Sequence, residues 1–246
     1  MKKHFTTPWK GVETALILLE TVILIVATLL VSHFLDLNKL LKTEAAKFSF
    51  IIISFFVLWL ILITPLLIHT GYRYKLKISH FGFNKVSLKK TVLYAVLTYL
   101  LFHLLNLLIV IFMLYTDIKI PGYQTQKFLL PLIGDNNFYL LIIGFVTIII
   151  GPIIEEIFFR GFILRSLGDK IGLFFASIIS ALLFALLHFQ FEVFFPILIL
   201  GLLINQLVIK TNSLYPAIAF HILNNAVVFT VEILILKNVI RIESFL

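Results

Sequence analysis

The sequence predicts an all-α protein, a polytopic transmembrane bundle of about seven to eight helices. Three observations carry that prediction. The chain is 61% hydrophobic and only 13% charged, against roughly 45–50% and about 25% in soluble domains, so a water-soluble fold would lack the polar residues to cover its surface. Apolar runs such as "TALILLETVILIVATLLV" and "FSFIIISFFVLWLILITPLLI" approach the roughly 20 residues that a helix needs to cross a bilayer. The basic residues are confined to short segments between such runs, which is the distribution of the positive-inside rule.

Taken in order, the apolar segments lie near residues 12–35, 48–70, 90–115, 138–167, 172–190, 193–209 and 214–236. The basic start "MKKHFTTPWKG" precedes the first of them. That run is too long for a signal-peptide core and has no small-residue cleavage site, so it reads as a retained helix. Lys2, Lys3 and Lys10, and then Arg73, Lys75, Lys77, Lys85, Lys89 and Lys90 after the second segment, place the N-terminus and that loop on the cytoplasmic side. The mixed loop "DLNKLLKTEAAK" and the balanced loop "TDIKIPGYQTQKFLLPLIGDNN" then face out. The fourth segment returns to the cytoplasm near Arg165, Asp169 and Lys170. No internal repeat or linker divides residues 1–246, so the sequence reads as a single integral membrane domain.

The net charge of +8 belongs to this topology and does not point to nucleic acid. The absence of cysteine removes disulfides, thiolate metal ligands and a cysteine nucleophile. Heavy use of Ile, Phe, Lys and Leu suggests a bacterial plasma membrane protein.

Against this background "GPIIEEIFFR", residues 151–160, stands out. A carboxylate near the centre of a membrane helix costs about 2.5–3.5 kcal/mol on insertion scales, and here two are adjacent. Glu156 and Arg160 are four apart and can pair on one helical face. Glu155 is rotated about 100° away and can point elsewhere. Gly151-Pro152 just before can kink the helix or admit a neighbour. Two later helices carry polar pairs at the same spacing: Phe184 with His188, and His221 with Asn225. Helical rise permits Glu155, His188 and His221 to share one intramembrane layer.

Glu155-Glu156-x-x-x-Arg160, Phe184-x-x-x-His188 and His221-x-x-x-Asn225, in this order on separate helices, resemble the motifs of the CAAX protease and bacteriocin-processing (CPBP, Abi) family of intramembrane proteases. That family is related to the type II CAAX prenyl proteases. The resemblance covers a core at about 138–236, whereas residues 1–137 resemble the family only in hydropathy. It implies a CAAX-type intramembrane (metallo)endopeptidase acting on a membrane-associated peptide or protein tail, in bacteriocin or pheromone processing or self-immunity.

In that chemistry Glu155 is the general base that takes a proton from water, and His188 helps to hold the water. His221 and Asn225 donate hydrogen bonds to the developing oxyanion. Glu156 and Arg160 fix the helix and the direction of Glu155, while Phe184 shapes the site. A divalent metal such as zinc is an alternative, with Glu155, His188 and His221 as candidate ligands.

No His-Glu-x-x-His motif or Gly-x-Ser-Gly motif occurs, and Asp36, Asp117, Asp135 and Asp169 lie in loops or at segment ends. A site-2-type metalloprotease, a rhomboid-type serine protease and an intramembrane aspartyl pair are therefore set aside. Two other functions fit part of the pattern: a proton-coupled transporter using the intramembrane polar residues, and a noncatalytic scaffold or immunity protein of the same family. His103, Asn106, Glu20 and Asn205-Gln206 read as packing groups, and Glu192 and Glu232 as exposed at an interface.

Overall fold

The computed structural model describes Phe5 and residues 7–35, 37–71, 73–124 and 128–240. Lys2, Lys3 and Asp36, used above, lie outside the described residues. The described chain is helical and contains no strand. Its apolar helices are α1 (Gly11–Phe34), α2 (Glu44–Gly71), α3 (Leu88–Thr116), α4 (Asn137–Ile171), α5 (Leu173–Leu186), α6 (Phe191–Thr211) and α7 (Tyr215–Leu236).

Among the described residues, six of these are long and apolar enough to cross a membrane, and α5 is not. Its 14 residues rise about 21 Å, short of a hydrocarbon core of about 30 Å. The expected segment 172–190 was longer because Leu187, Phe189 and Phe191 continue the apolar run around His188 and Gln190. The backbone reverses there, with Phe189 at φ 52°, a conformation that bulky residues rarely adopt. With six helices among the described residues long and apolar enough to cross a membrane, and a membrane-protein composition, the chain is an integral membrane protein.

Local chemistry sets the helix ends. The side chains of Thr43, Ser87 and Asn136 accept backbone N–H bonds from Ala46, Lys90 and Phe138 and so cap α2, α3 and α4, satisfying donors that a helix start leaves open. Asp117 and Asn212 end α3 and α6 with φ of 55° and 50°, as short polar side chains allow. Within α4 the turn widens twice, at Val146–Ile150 and at Ile157–Leu164. Gly151-Pro152 lies between these two stretches, and proline has no N–H to continue the regular ladder.

By packing, the chain divides into two compact units built from interleaved segments. One comprises Trp9–Leu76, Phe128–Ile154 and Asn225–Leu246. Its core is Leu130, Ile133, Leu140 and Ile143, packed with Phe48, Phe229 and Ile233. Phe48 stacks on Tyr139 at 4.2 Å. Three carboxylates here have specific partners. Glu13 accepts from Arg73 at 2.9 Å and from the Tyr74 hydroxyl at 3.0 Å. Glu20 bonds His69 at 2.8 Å. Glu232, expected at an exposed interface, is 7% exposed and accepts from the backbone N–H groups of Leu129 and Leu130 at 3.2 and 3.3 Å. Such N–H partners compensate the burial of a carboxylate.

The second unit comprises Met1–Pro8, Lys77–Lys127 and Glu155–Asn224. Helix α5 presents Ser177, Ala181 and Ala185 at four-residue spacing, all buried, and a Cβ on Gly201 of α6 would lie 3.2 Å from the Ala181 Cβ. Small residues on both helices thus let their backbones approach, as membrane helix pairs require. Gly161 admits the Phe81 carbonyl, which would lie 2.9 Å from an added Cβ.

One end of this unit gathers three connections. The Leu214 N–H donates to the Gly82 carbonyl at 2.8 Å, the Ser213 hydroxyl to the Asn84 carbonyl at 2.7 Å, and Arg165 to the Asn212 side chain at 2.9 Å. The lysine-rich loop before α3 and the Arg165 region of α4 therefore meet at one end of this unit. At the other end of α3, Gln124 N–H donates to the Glu192 carbonyl at 2.7 Å.

Candidate active site

The second unit brings six of the seven residues singled out by sequence together. Glu155 and Glu156 close the six-residue α-helical stretch Gly151–Glu156 of α4. The adjacent carboxylates diverge: Glu155 keeps 21% of its side chain exposed, whereas Glu156 is fully buried. Arg160, in the widened turn, is also fully buried. Its Nη1 donates to Glu156 Oε1 at 3.0 Å, its Nη2 to the Gly201 carbonyl at 3.1 Å and its Nε to Asn205 Oδ1 at 2.9 Å. A charge pair taken wholly out of water needs such additional bonds to be tolerated.

His221 of α7 is 2% exposed, and its Nδ1 lies 2.9 Å from Glu156 Oε1. An ionised carboxylate only accepts, so Nδ1 carries the proton and Nε2 is the atom presented elsewhere. Nε2 lies 3.8 Å from Glu155 Oε2. The separation is too long for a direct hydrogen bond and suits a bridging water.

His188 follows the end of α5, on the turn that Phe189 closes. Its Nδ1 lies 2.7 Å from the Phe184 carbonyl, which again fixes the proton on Nδ1 and leaves Nε2 as the acceptor. Phe184 is fully buried and joins the group. Its ring meets His188 at 4.5 Å, His221 at 5.7 Å and the Arg160 guanidinium at 4.3 Å. The Phe184 ring thus spaces the two imidazoles, and the cation over its face adds attraction.

Asn225 falls in the first unit, where its Nδ2 donates to the Thr147 carbonyl at 2.9 Å. Asn205, read from sequence as a packing group, is a fully buried partner of Arg160. Its own Nδ2 donates to the Ser177 carbonyl at 2.8 Å. Nothing local in the sequence marks this contact, because Asn205 and Arg160 are 45 residues apart.

The donor set of Glu155, His188 and His221 matches the oxygen and imidazole preference of zinc. Among the described residues, however, no group of three or more His, Cys, Asp or Glu side chains is placed to hold a metal ion.

The fold and site define a polytopic membrane protein with a buried glutamate–histidine centre, and the comparisons bear out the family resemblance carried by the motifs. Residues 137–227 match the family described as type II CAAX prenyl endopeptidase Rce1-like. A Bacillus subtilis (strain 168) protein named "Putative membrane peptidase YdiL" is 30% identical over 99 residues. That alignment covers 40% of this chain and 41% of the relative. No solved structure matches the chain.

Proposed function

We propose that the chain is an intramembrane endopeptidase that hydrolyses a peptide bond in a membrane-associated peptide or protein tail with glutamate-activated water. One observation carries the reading: the 3.8 Å gap between Glu155 Oε2 and His221 Nε2, with His221 held from behind by buried Glu156. A water in that gap can give a proton to Glu155, and the Nε2 of His188 can accept its other hydrogen. The oxygen then attacks the scissile carbonyl carbon. Glu155 passes the proton it took to His221 Nε2, which then donates a hydrogen bond to the oxyanion, and the same proton returns by way of Glu155 to the leaving amine as the C–N bond breaks. Asn225, one helical turn beyond His221, is proposed from the motif spacing as the second oxyanion donor.

The physiological role proposed is processing of a bacteriocin or pheromone precursor, or self-immunity, in a bacterial plasma membrane. Comparative peptidomics of membranes from cells carrying the wild type or Glu155→Ala tests the reading. One membrane peptide should persist unprocessed in the variant, and identical peptide inventories would reject the peptidase.

The mechanism routes no step through a metal. Protein stripped of divalent ions by a chelator is expected to keep its cleavage rate within about twofold, far below the 10²–10⁴ of a general-base step. Loss of activity that zinc restores would overturn this mechanism and assign Glu155, His188 and His221 to holding the metal.

The substrate is proposed to enter from the cytoplasmic side, with the N-terminus also cytoplasmic. The cysteine-free chain allows single cysteines to be placed without background. A cysteine at Ser79 should be protected from an impermeant thiol reagent in intact cells, and one at Gln124 should be labelled. Both positions are exposed, and α3, rising about 43 Å over 29 residues, separates them. Reversed labelling would turn the site outward.

A further inference from the structure

We infer that Asn205 is a positioning residue of the proposed site, and that through Arg160 and Glu156 it fixes which nitrogen His221 presents to the water. The inference rests on the peptidase reading for its consequence in catalysis, but its structural content stands apart from that reading.

An amide buried in an apolar helix is costly unless both its ends are bonded. Asn205 meets that condition with unlike groups. Arg160 Nε can only donate, so the atom facing it at 2.9 Å is Oδ1. The Ser177 carbonyl can only accept, so the atom facing it at 2.8 Å is Nδ2. The amide therefore has one orientation.

The guanidinium has five donors in a rigid plane. Three points hold that plane: Asn205 at Nε, Glu156 Oε1 at Nη1 and the Gly201 carbonyl at Nη2. Asn205 holds the inner donor, so it controls the rotation of the fork. Glu156 Oε1 serves both Arg160 and His221, while Glu156 Oε2 is buried with no hydrogen-bond partner.

Without an acceptor at position 205, Nε is left unpaired in the interior. The nearest relief is for the fork to turn and take both oxygens of Glu156, the paired geometry that arginine and carboxylate favour. Oε1 is then drawn from His221, and the imidazole loses the partner that keeps its proton on Nδ1. Asn205 thus prevents a tighter ion pair whose formation would release the histidine.

The test uses the full chain in detergent or nanodiscs with ¹⁵N-labelled histidine, and reads the two His221 ring nitrogens, assigned by their loss in His221→Gln. The wild type should show a single Nδ1-protonated form. Asn205→Leu, similar in volume and without an acceptor, should give a mixture of tautomers and cut the cleavage rate about 10–100-fold at little-changed KM, the scale of a small misplacement at a reacting centre. Asn205→Asp restores an oxygen for Nε and should restore the single tautomer, which a purely packing role would not require. If Asn205→Leu fails to insert, Asn205→Ser, with a hydroxyl too short to reach, takes its place. A wild-type His221 pattern in the Leu or Ser variant overturns the inference, even if thermal stability falls. A tautomer shift in a protein whose wild type cleaves no membrane peptide would instead reject the peptidase reading and leave the positioning of His221 in place.

Discussion

Glu155→Gln is expected to lower cleavage by two or more orders of magnitude while the protein inserts and folds as the wild type does. Glutamine has the size of glutamate but cannot take a proton from water, so the substitution removes the general base and little else. General-base contributions of roughly 10²–10⁴ set the scale. Folding should be spared because Glu155 is the partly exposed member of the pair, with 21% of its side chain accessible. Its 3.8 Å separation from His221 is not a bond whose loss would loosen α7. The check is a cleavage assay on the substrate found by peptidomics, run beside a melting curve in detergent. Retained proteolysis in Glu155→Gln would remove this residue from the mechanism.

The contrast between Glu155 and Glu156 was legible in the sequence, because adjacent residues on a helix point about 100° apart. Pairing of Glu156 with Arg160 followed from their four-residue spacing, and the structure places them 3.0 Å apart. The contact that gives the site its chemistry was not legible. His221 reaches Glu156 across 65 residues, and Arg160 reaches Asn205 on another helix. Periodicity reports which face a residue occupies and does not report which helix packs against it. Two misreadings share a second cause. Hydropathy counts side chains, so it extended α5 through the turn that Phe189 makes beside His188. It also could not foresee that the partners of Glu232 would be backbone N–H groups, which every residue but proline carries.

Arg160→Lys and His221→Ala are expected to fail in different ways. Lysine keeps the charge of Arg160 but offers a single compact ammonium in place of a planar fork. It cannot reach Glu156, the Gly201 carbonyl and Asn205 together, the three partners that Arg160 bonds at 3.0, 3.1 and 2.9 Å. Fully buried Glu156 is then poorly compensated. Removing one partner of a buried pair typically costs about 3–5 kcal/mol, and the lysine charge should recover part of that, leaving a loss of about 2–3 kcal/mol. The melting temperature in detergent should fall, and activity should fall with it. His221→Ala leaves the Glu156–Arg160 pair intact and forfeits one hydrogen bond and a ring at the edge of the proposed water site. It should cost about 1–2 kcal/mol, yet remove the donor to the oxyanion, a loss of about 10²–10³ in rate. The ratio of activity lost to stability lost should therefore be larger for His221→Ala. Equal ratios would mean that His221 belongs with Glu156 and Arg160 as a support of the fold, and the chemistry at Glu155 would then need a different partner.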